Sequence, residues 1–181
     1  MPSGRFLLRV TVGGLMMGHG LQKLNGSFGG PGLEATQESM GALGLHPAKH
    51  QGLAAALSET IGGGLTAAGF LSPLGPALIT GTMLVAIKKV HLKNGPWVAQ
   101  GGYEYNATLI AAALSLATAG PGLLSLDGML RKQRSGLRYG VLALATGVAG
   151  AAAALTIAEK MKPGEPTPSD ADPSATENAA G

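Results

Sequence analysis

Five long apolar stretches constrain the fold of this chain more than any other feature of its sequence. Each has the length of about 20 residues that a helix needs to cross the hydrocarbon core of a bilayer. None shows the alternation of apolar and polar residues that is typical of a half-buried strand. Backbone groups in hydrocarbon must also be satisfied within their own segment, so we expect helices. The stretches are residues 6–24, 52–71, 73–92, 105–124 and 139–158.

The composition agrees with a lipid environment. Charged residues make up 13% of the chain, which is about half of their usual share in a soluble domain. The 30 glycines fit as well, because glycine is common in membrane helices, where it lets two backbones approach closely. We therefore predict an all-α fold, a polytopic membrane helix bundle with five transmembrane helices.

The segments between these stretches indicate how the chain is organised. Residues 33–45 lie in a long loop and are expected to form a short amphipathic helix on the membrane surface. Residues 128–138 are a basic linker. We expect residues 139–160 to form an additional transmembrane helix, the fifth of the chain. The tail, residues 163–181, is rich in proline, alanine and acidic residues and is expected to be disordered.

Charge and cysteine content exclude several classes of function. The basic residues are dispersed between apolar segments, which disfavours nucleic-acid binding and suits a protein held among anionic lipid headgroups. The chain has no cysteine, so it forms no disulfide and uses no thiolate. The densest basic cluster lies between residues 131 and 138 and favours a topology in which the N-terminus is cytoplasmic.

Successive membrane helices run in opposite directions, so their ends alternate between the two membrane faces. The end of the first helix, the start of the second, the end of the third and the start of the fourth share one face. We predict a polar site at this leaflet, because most polar residues near helix ends lie there. Its candidate residues are His19, Gln22, Lys23, Glu59, His91, Lys93, Asn94, Tyr103 and Glu104, with Tyr105 beside them. The opposite face holds little beyond Arg9 and the basic linker.

Glu59 is the most informative of these residues. A carboxylate in hydrocarbon is costly, and an acid within a membrane helix is a candidate functional residue by default. The alternative is a structural role, either in an ion pair with Arg9, Lys23 or Lys88, or as a neutral acid that is hydrogen-bonded across helices. The sequence leaves both roles open.

His19 and His91 allow three interpretations. Either they handle protons or bind a headgroup together with Glu59, or they make structural hydrogen bonds. Axial ligation of a haem is disfavoured, because nothing else marks a haem pocket. His46 and His50 have i, i+4 spacing, but a proline interrupts them and no third ligand is near, so we expect no metal site.

Several short motifs, in this order along residues 5–127, resemble the DoxX family. The resemblance implies a multi-pass protein of the bacterial cytoplasmic membrane with a four-helix core over residues 5–127, to which the fifth helix and the tail are additions. The motifs are His19-Gly20-Leu21-Gln22-Lys23-Leu24 with Phe28-Gly29-Gly30, Glu59-x-x-Gly62-Gly63, His91-Leu92-Lys93-Asn94-Gly95, Gly101-Gly102-Tyr103-Glu104-Tyr105, and Gly120-Pro121-Gly122 with Ser125-Leu126-Asp127.

The resemblance also implies a function. The family takes its name from subunits of a thiosulfate:quinone oxidoreductase, and some relatives are linked to membrane complexes that handle thiol and oxidative stress. We therefore expect a redox-associated membrane component with redox proteins as partners. Its cofactor would be a quinone, whose oxygens Glu59 with His19 or His91 would hydrogen-bond. Whether the chain is itself an enzyme stays open, because it has no cysteine and no self-contained catalytic motif.

The sequence also allows a function of another class. The chain would then be a non-enzymatic scaffold or assembly factor that docks a soluble partner through its polar face or its acidic tail. A transporter is disfavoured, because inverted repeats and broken mid-membrane helices are not evident. Small residues four apart, as at Gly14/Gly18 and Ala143/Gly147/Ala151, would allow close helix packing, and homo-oligomers through such spacing stay open.

Overall fold

The computed structural model of the chain describes residues 2–132 and 134–163. These residues form α-helices, short 3₁₀ and π turns, and no strand, which confirms the all-α prediction. The predicted disordered tail lies outside the described residues, apart from Pro163. The α-helices are α1 (Pro2–Asn25), α2 (Gly32–Ala42), α3 (Ala48–Ala68), α4 (Leu74–Ala86), α5 (Glu104–Ala119), α6 (Leu126–Met129) and α7 (Leu137–Lys160).

Backbone geometry sets the helix ends that differ from the predicted stretches. α3 ends where Gly69 takes a left-handed conformation with φ of 62°, and α5 ends where Gly120 has φ of 77°. α4 is shorter than the stretch 73–92 because a π turn, Ile87–His91, follows it. The short helix predicted within residues 33–45 is present as α2.

Four of the helices contact one another in a closed ring. α1 packs along α3, α3 packs on α4, α4 packs on α5, and α5 returns to α1. α2 covers one end of the α1–α3 pair, and α7 packs outside the ring against α4 and α5. The interior between α1, α4 and α5 is filled by interdigitated apolar side chains. These are Val12, Met16, Ile79, Met83, Leu109 and Ala113.

α7 is held by a stripe of small residues. Ala143, Gly147 and Ala151 are buried, and a Cβ atom at position 147 would come within 2.8 Å of the Thr80 side chain on α4. The spacing that predicted close packing for this helix therefore acts within the chain, between α7 and α4.

α7 is also the one helix of the described residues that is long and apolar enough, by length and composition, to cross a membrane. The prediction of five transmembrane helices is therefore not confirmed. α4 and α5 have 13 and 16 residues, which is short for a span, and α1 carries Arg5, Arg9 and Lys23 within its length.

α1 and α3 approach each other closely at glycine. A Cβ atom on Gly13 would lie against the backbone of Ala67 and Gly63, whereas Cβ atoms on Gly14 and Gly18 would meet nothing within 4 Å. The contact between these two helices therefore uses Gly13 and not the Gly14/Gly18 pair that the spacing indicated.

We expect Gly13→Ala to destabilise the protein and Gly14→Ala to leave it unchanged or slightly more stable. The added methyl group at position 13 meets backbone that cannot rotate away, and such overpacking costs about 1–3 kcal/mol. Denaturation of the purified protein in detergent, followed by circular dichroism, measures the difference. Equal stability of the two variants would show that α1 and α3 do not approach as described.

Candidate functional site

A cavity of about 410 Å³ opens between α1, α3, α4 and α5, and the loop after α2 closes one side. Its wall is mostly apolar and includes Met16, Met83 and Leu109. A mostly apolar cavity with a few convergent polar groups is typical of a small-molecule site. The polar residues of the wall are His19, Lys23, Glu59, Thr82, Lys89, His91, Tyr105 and Asn106.

An ion pair joins α1 to α3 at this cavity. Glu59 is one of the buried residues of α3, and Lys23 lies in the last turn of α1. Lys23 Nζ and Glu59 Oε2 are 2.5 Å apart, and the two side chains are 28% and 6% exposed. Of the three basic partners considered from the sequence, the structure pairs Glu59 with Lys23 rather than with Arg9 or Lys88.

His91 reaches the cavity through the π turn that follows α4. A π turn shifts the register of the residues after it and so redirects their side chains. His91 Nδ1 lies 2.7 Å from the carbonyl oxygen of Gly101. Because a carbonyl only accepts, Nδ1 donates here, and Nε2 is the acceptor of the neutral ring. Asn94 does not line the cavity but donates from Nδ2 to the same oxygen at 3.2 Å.

His19 lies one turn before Lys23 on α1, so the two side chains share a helix face. Its Nδ1 is 3.0 Å from Oε1 of Gln22, and since this amide oxygen accepts, His19 also donates from Nδ1. Gln22 is therefore a neighbour of His19 rather than part of the cavity wall. Both histidines hold the same tautomer in their neutral form, with Nε2 unprotonated.

Three further predicted candidates, in addition to Gln22 and Asn94, lie outside the cavity wall. Lys93 is exposed, and Tyr103 and Glu104 are half-buried where α5 begins. The wall takes its α5 residues from one helix face, which includes Tyr105 and Leu109 at i, i+4 spacing. Sequence position placed the three residues at the correct end of the helices, but the rotational phase of α5 decides which of its residues reach the cavity.

Three polar wall residues were not identified from the sequence, namely Thr82, Lys89 and Asn106. Asn106 is buried on α5, and its Nδ2 lies 3.4 Å from the sulfur of Met83. Lys89 lies within the π turn, and its Nζ donates to the carbonyl oxygen of Gly44 at 3.4 Å. Asn106 was recognisable as an amide within an apolar stretch, whereas Lys89 reaches the wall only because of the π turn.

A second polar cluster lies at the other end of α1 and α3, where little beyond Arg9 was expected. Asp127 is 1% exposed, and its carboxylate accepts hydrogen bonds from the backbone N–H groups of Leu71 and Ser72 at 3.2 and 2.9 Å. Arg9 is 4% exposed and donates from Nη2 to the carbonyl oxygen of Leu124 at 2.5 Å. The expectation for this face is thus corrected: a buried acid binds the turn between α3 and α4, and a buried base binds the segment between α5 and α6.

The described residues contain no group of three or more His, Asp or Glu side chains that could hold a metal ion. His46 and His50 lie at the start of α3, with no third ligand beside them.

Comparison with known proteins gives one match. The family model described as DoxX matches residues 4–92, a range that includes Lys23, Glu59 and His91. The motifs beyond residue 92 lie outside the matched range. Searches of the curated proteins and of the solved structures returned no match.

We expect Lys23→Gln to destabilise the protein more than Glu59→Gln. Loss of Lys23 leaves a buried carboxylate without its cation, at a cost of about 3 kcal/mol. Loss of the carboxylate leaves an ammonium group that is 28% exposed and reaches water. The double variant should recover part of the lost free energy of unfolding, as measured by denaturation in detergent.

Lys49→Gln is the control, because this lysine is exposed near the start of α3. The free energy of unfolding of this variant should stay within about 0.5 kcal/mol of the wild-type value. Strictly additive losses in the double variant would show that Lys23 and Glu59 are not coupled.

Proposed function

Because this chain belongs to the DoxX family of membrane proteins, we propose that it crosses the bacterial cytoplasmic membrane several times and binds a quinone in its polar cavity. In this proposal it serves as a component of a membrane redox system. The observation that carries the proposal is the buried Glu59–Lys23 pair, which stands with His19 and His91 at the wall of a largely apolar cavity.

Apolar side chains on the outside of the helices support several crossings. Leu53, Leu57 and Ile61 repeat one turn apart along α3 and are 38%, 37% and 49% exposed. Proteins that fold in water rarely leave apolar surface of this extent uncovered. Lipid is the solvent that such faces require. Further exposed residues of this kind are Phe6, Leu7, Leu8, Val10 and Leu15 on α1, and Val141, Leu142, Leu144 and Val148 on α7.

The short helices are compatible with crossings. The helical path that begins with α4 continues through the π turn and a 3₁₀ turn to Asn94, and a path of about 20 residues spans the hydrocarbon core. α5, with 16 residues, is about 24 Å long, a mismatch that a bilayer accommodates by local thinning. With the N-terminus cytoplasmic, the cavity lies in the outer leaflet.

Single cysteines test this topology directly, because the chain has none of its own. Ala99 and Ser135 are exposed in the loops before and after α5. We expect a membrane-impermeant maleimide to label Ala99→Cys in intact spheroplasts and to label Ser135→Cys only after permeabilisation. Both positions precede α7, so a protein with α7 as its one span would show them on the same side. That result would reject the multi-pass proposal.

The donors and acceptors of the cavity suit both redox forms of a quinone. Lys23 Nζ is a donor and matches a quinone carbonyl oxygen. Glu59 and the unprotonated Nε2 of His91 are acceptors and match the hydroxyl groups of a quinol. Met16 and Met83 supply apolar, polarisable surface for the ring. Since the chain has no cysteine, a thiol that donates electrons would belong to a partner protein.

We expect saturable binding of decylubiquinone, measured by quenching of the fluorescence of Trp97. This residue is the only tryptophan and precedes Val98, which lines the cavity. Glu59→Gln should weaken binding of the reduced form, decylubiquinol, about tenfold, because it removes the charged acceptor of a quinol hydroxyl group, a hydrogen bond worth about 1.5 kcal/mol or more. Glu38→Gln changes an exposed acid on α2 and should bind as wild type does.

Equal binding of decylubiquinol by wild type and Glu59→Gln, both eluting as folded protein from a sizing column, would remove Glu59 from the site. Quenching that does not saturate would reject quinone binding as a whole.

The scaffold alternative is supported by a different surface. Trp97 and Val98 are 64% and 58% exposed in the loop before α5, on the side of the protein where the cavity opens. In that case the Glu59–Lys23 pair serves to hold α1 against α3, and the loop contacts a soluble partner. A protein that does not bind decylubiquinone but recovers a partner through this loop is the outcome that favours the scaffold.

A further inference from the structure

Arg9 is the least satisfied polar residue of the described chain. One of its nitrogens, Nη2, donates to the Leu124 carbonyl oxygen at 2.5 Å. Its Nε and Nη1 atoms are buried without a hydrogen-bond partner, and so is Oγ1 of Thr66 on α3. Within residues 2–132 and 134–163, these three are the only buried side-chain nitrogen or oxygen atoms that have no hydrogen-bond partner.

Arg9 and Thr66 line the same small cavity, together with Gly69, Leu116 and Pro121 among others. Its volume is about 20 Å³, and about 10–15 Å³ is enough to hold one water molecule. The space therefore takes a single atom-sized occupant and excludes a phosphate or carboxylate group.

The charge of Arg9 is not matched by a carboxylate in contact with it. The ion pair that the described residues form is Lys23–Glu59. The buried acid of this region, Asp127, directs both of its oxygens to backbone N–H groups. A buried charge without a counter-charge is costly. The surrounding charge is also positive: the basic residues of this end are Arg5, Arg131, Lys132, Arg134 and Arg138.

We propose that this cavity binds one small monovalent anion of the size of chloride. The anion accepts hydrogen bonds from Nε and Nη1 of Arg9 and from the hydroxyl group of Thr66. It bridges α1 and α3 at the end opposite to the Lys23–Glu59 pair. A water molecule would satisfy hydrogen bonds there but would leave the guanidinium charge uncompensated, which is why the charge favours an anion.

The test is ³⁵Cl NMR line broadening on the purified full-length protein in a non-ionic detergent, titrated with chloride at constant ionic strength set by gluconate. We expect saturable broadening for wild type. Thr66→Val keeps the side-chain shape but removes the donor, and should weaken chloride binding about tenfold. Thr66→Ser keeps the hydroxyl and should bind within about twofold of wild type. Arg138→Gln changes an exposed arginine and should bind as wild type does.

A second measurement does not depend on any variant. The unfolding temperature of wild type should rise when gluconate is replaced by chloride or bromide. Broadening that is absent in wild type, or equal in Thr66→Val and wild type, overturns the proposal. An unfolding temperature that is the same in all three salts also overturns it.

Discussion

The close approach of α1 and α3 is the constraint on which the rest of the structure depends. Because Gly13, Gly20 and Gly63 carry no side chain, the backbones of the two helices come into close contact at these points. That contact brings Lys23 to Glu59 at one end and places Arg9 beside Thr66 at the other. Side chains of any size at the crossing would separate the helices and pull both polar sets apart.

Buried charge is compensated differently at the two ends of this helix pair. At one end an acid and a base neutralise each other, and the space beside them is large and apolar, which suits an uncharged ring with polar edges. At the other end a guanidinium has no carboxylate in contact, and the space beside it is small. The same helix pair therefore borders two different environments, one largely apolar beside a neutralised ion pair and one small beside a positive charge.

Part of the site could be predicted because polar residues in apolar helices are conspicuous and helix direction alternates. Glu59, Lys23, His19 and His91 were placed at a common end on those grounds alone, and they share one cavity. Helix direction does not give rotational phase, however. Glu104 has the correct depth, but the face that α5 turns inward excludes it from the cavity wall.

Sequence by itself determined that the chain is helical, that its helices carry apolar outer faces, and which ionisable residues lie near which helix end, because these follow from local periodicity and composition. Only the tertiary structure decided which base pairs with Glu59, that a π turn carries His91 into the cavity, and that Asp127 binds the backbone of the α3–α4 turn. Those outcomes depend on distances between segments remote in the chain, which the packing of whole helices sets.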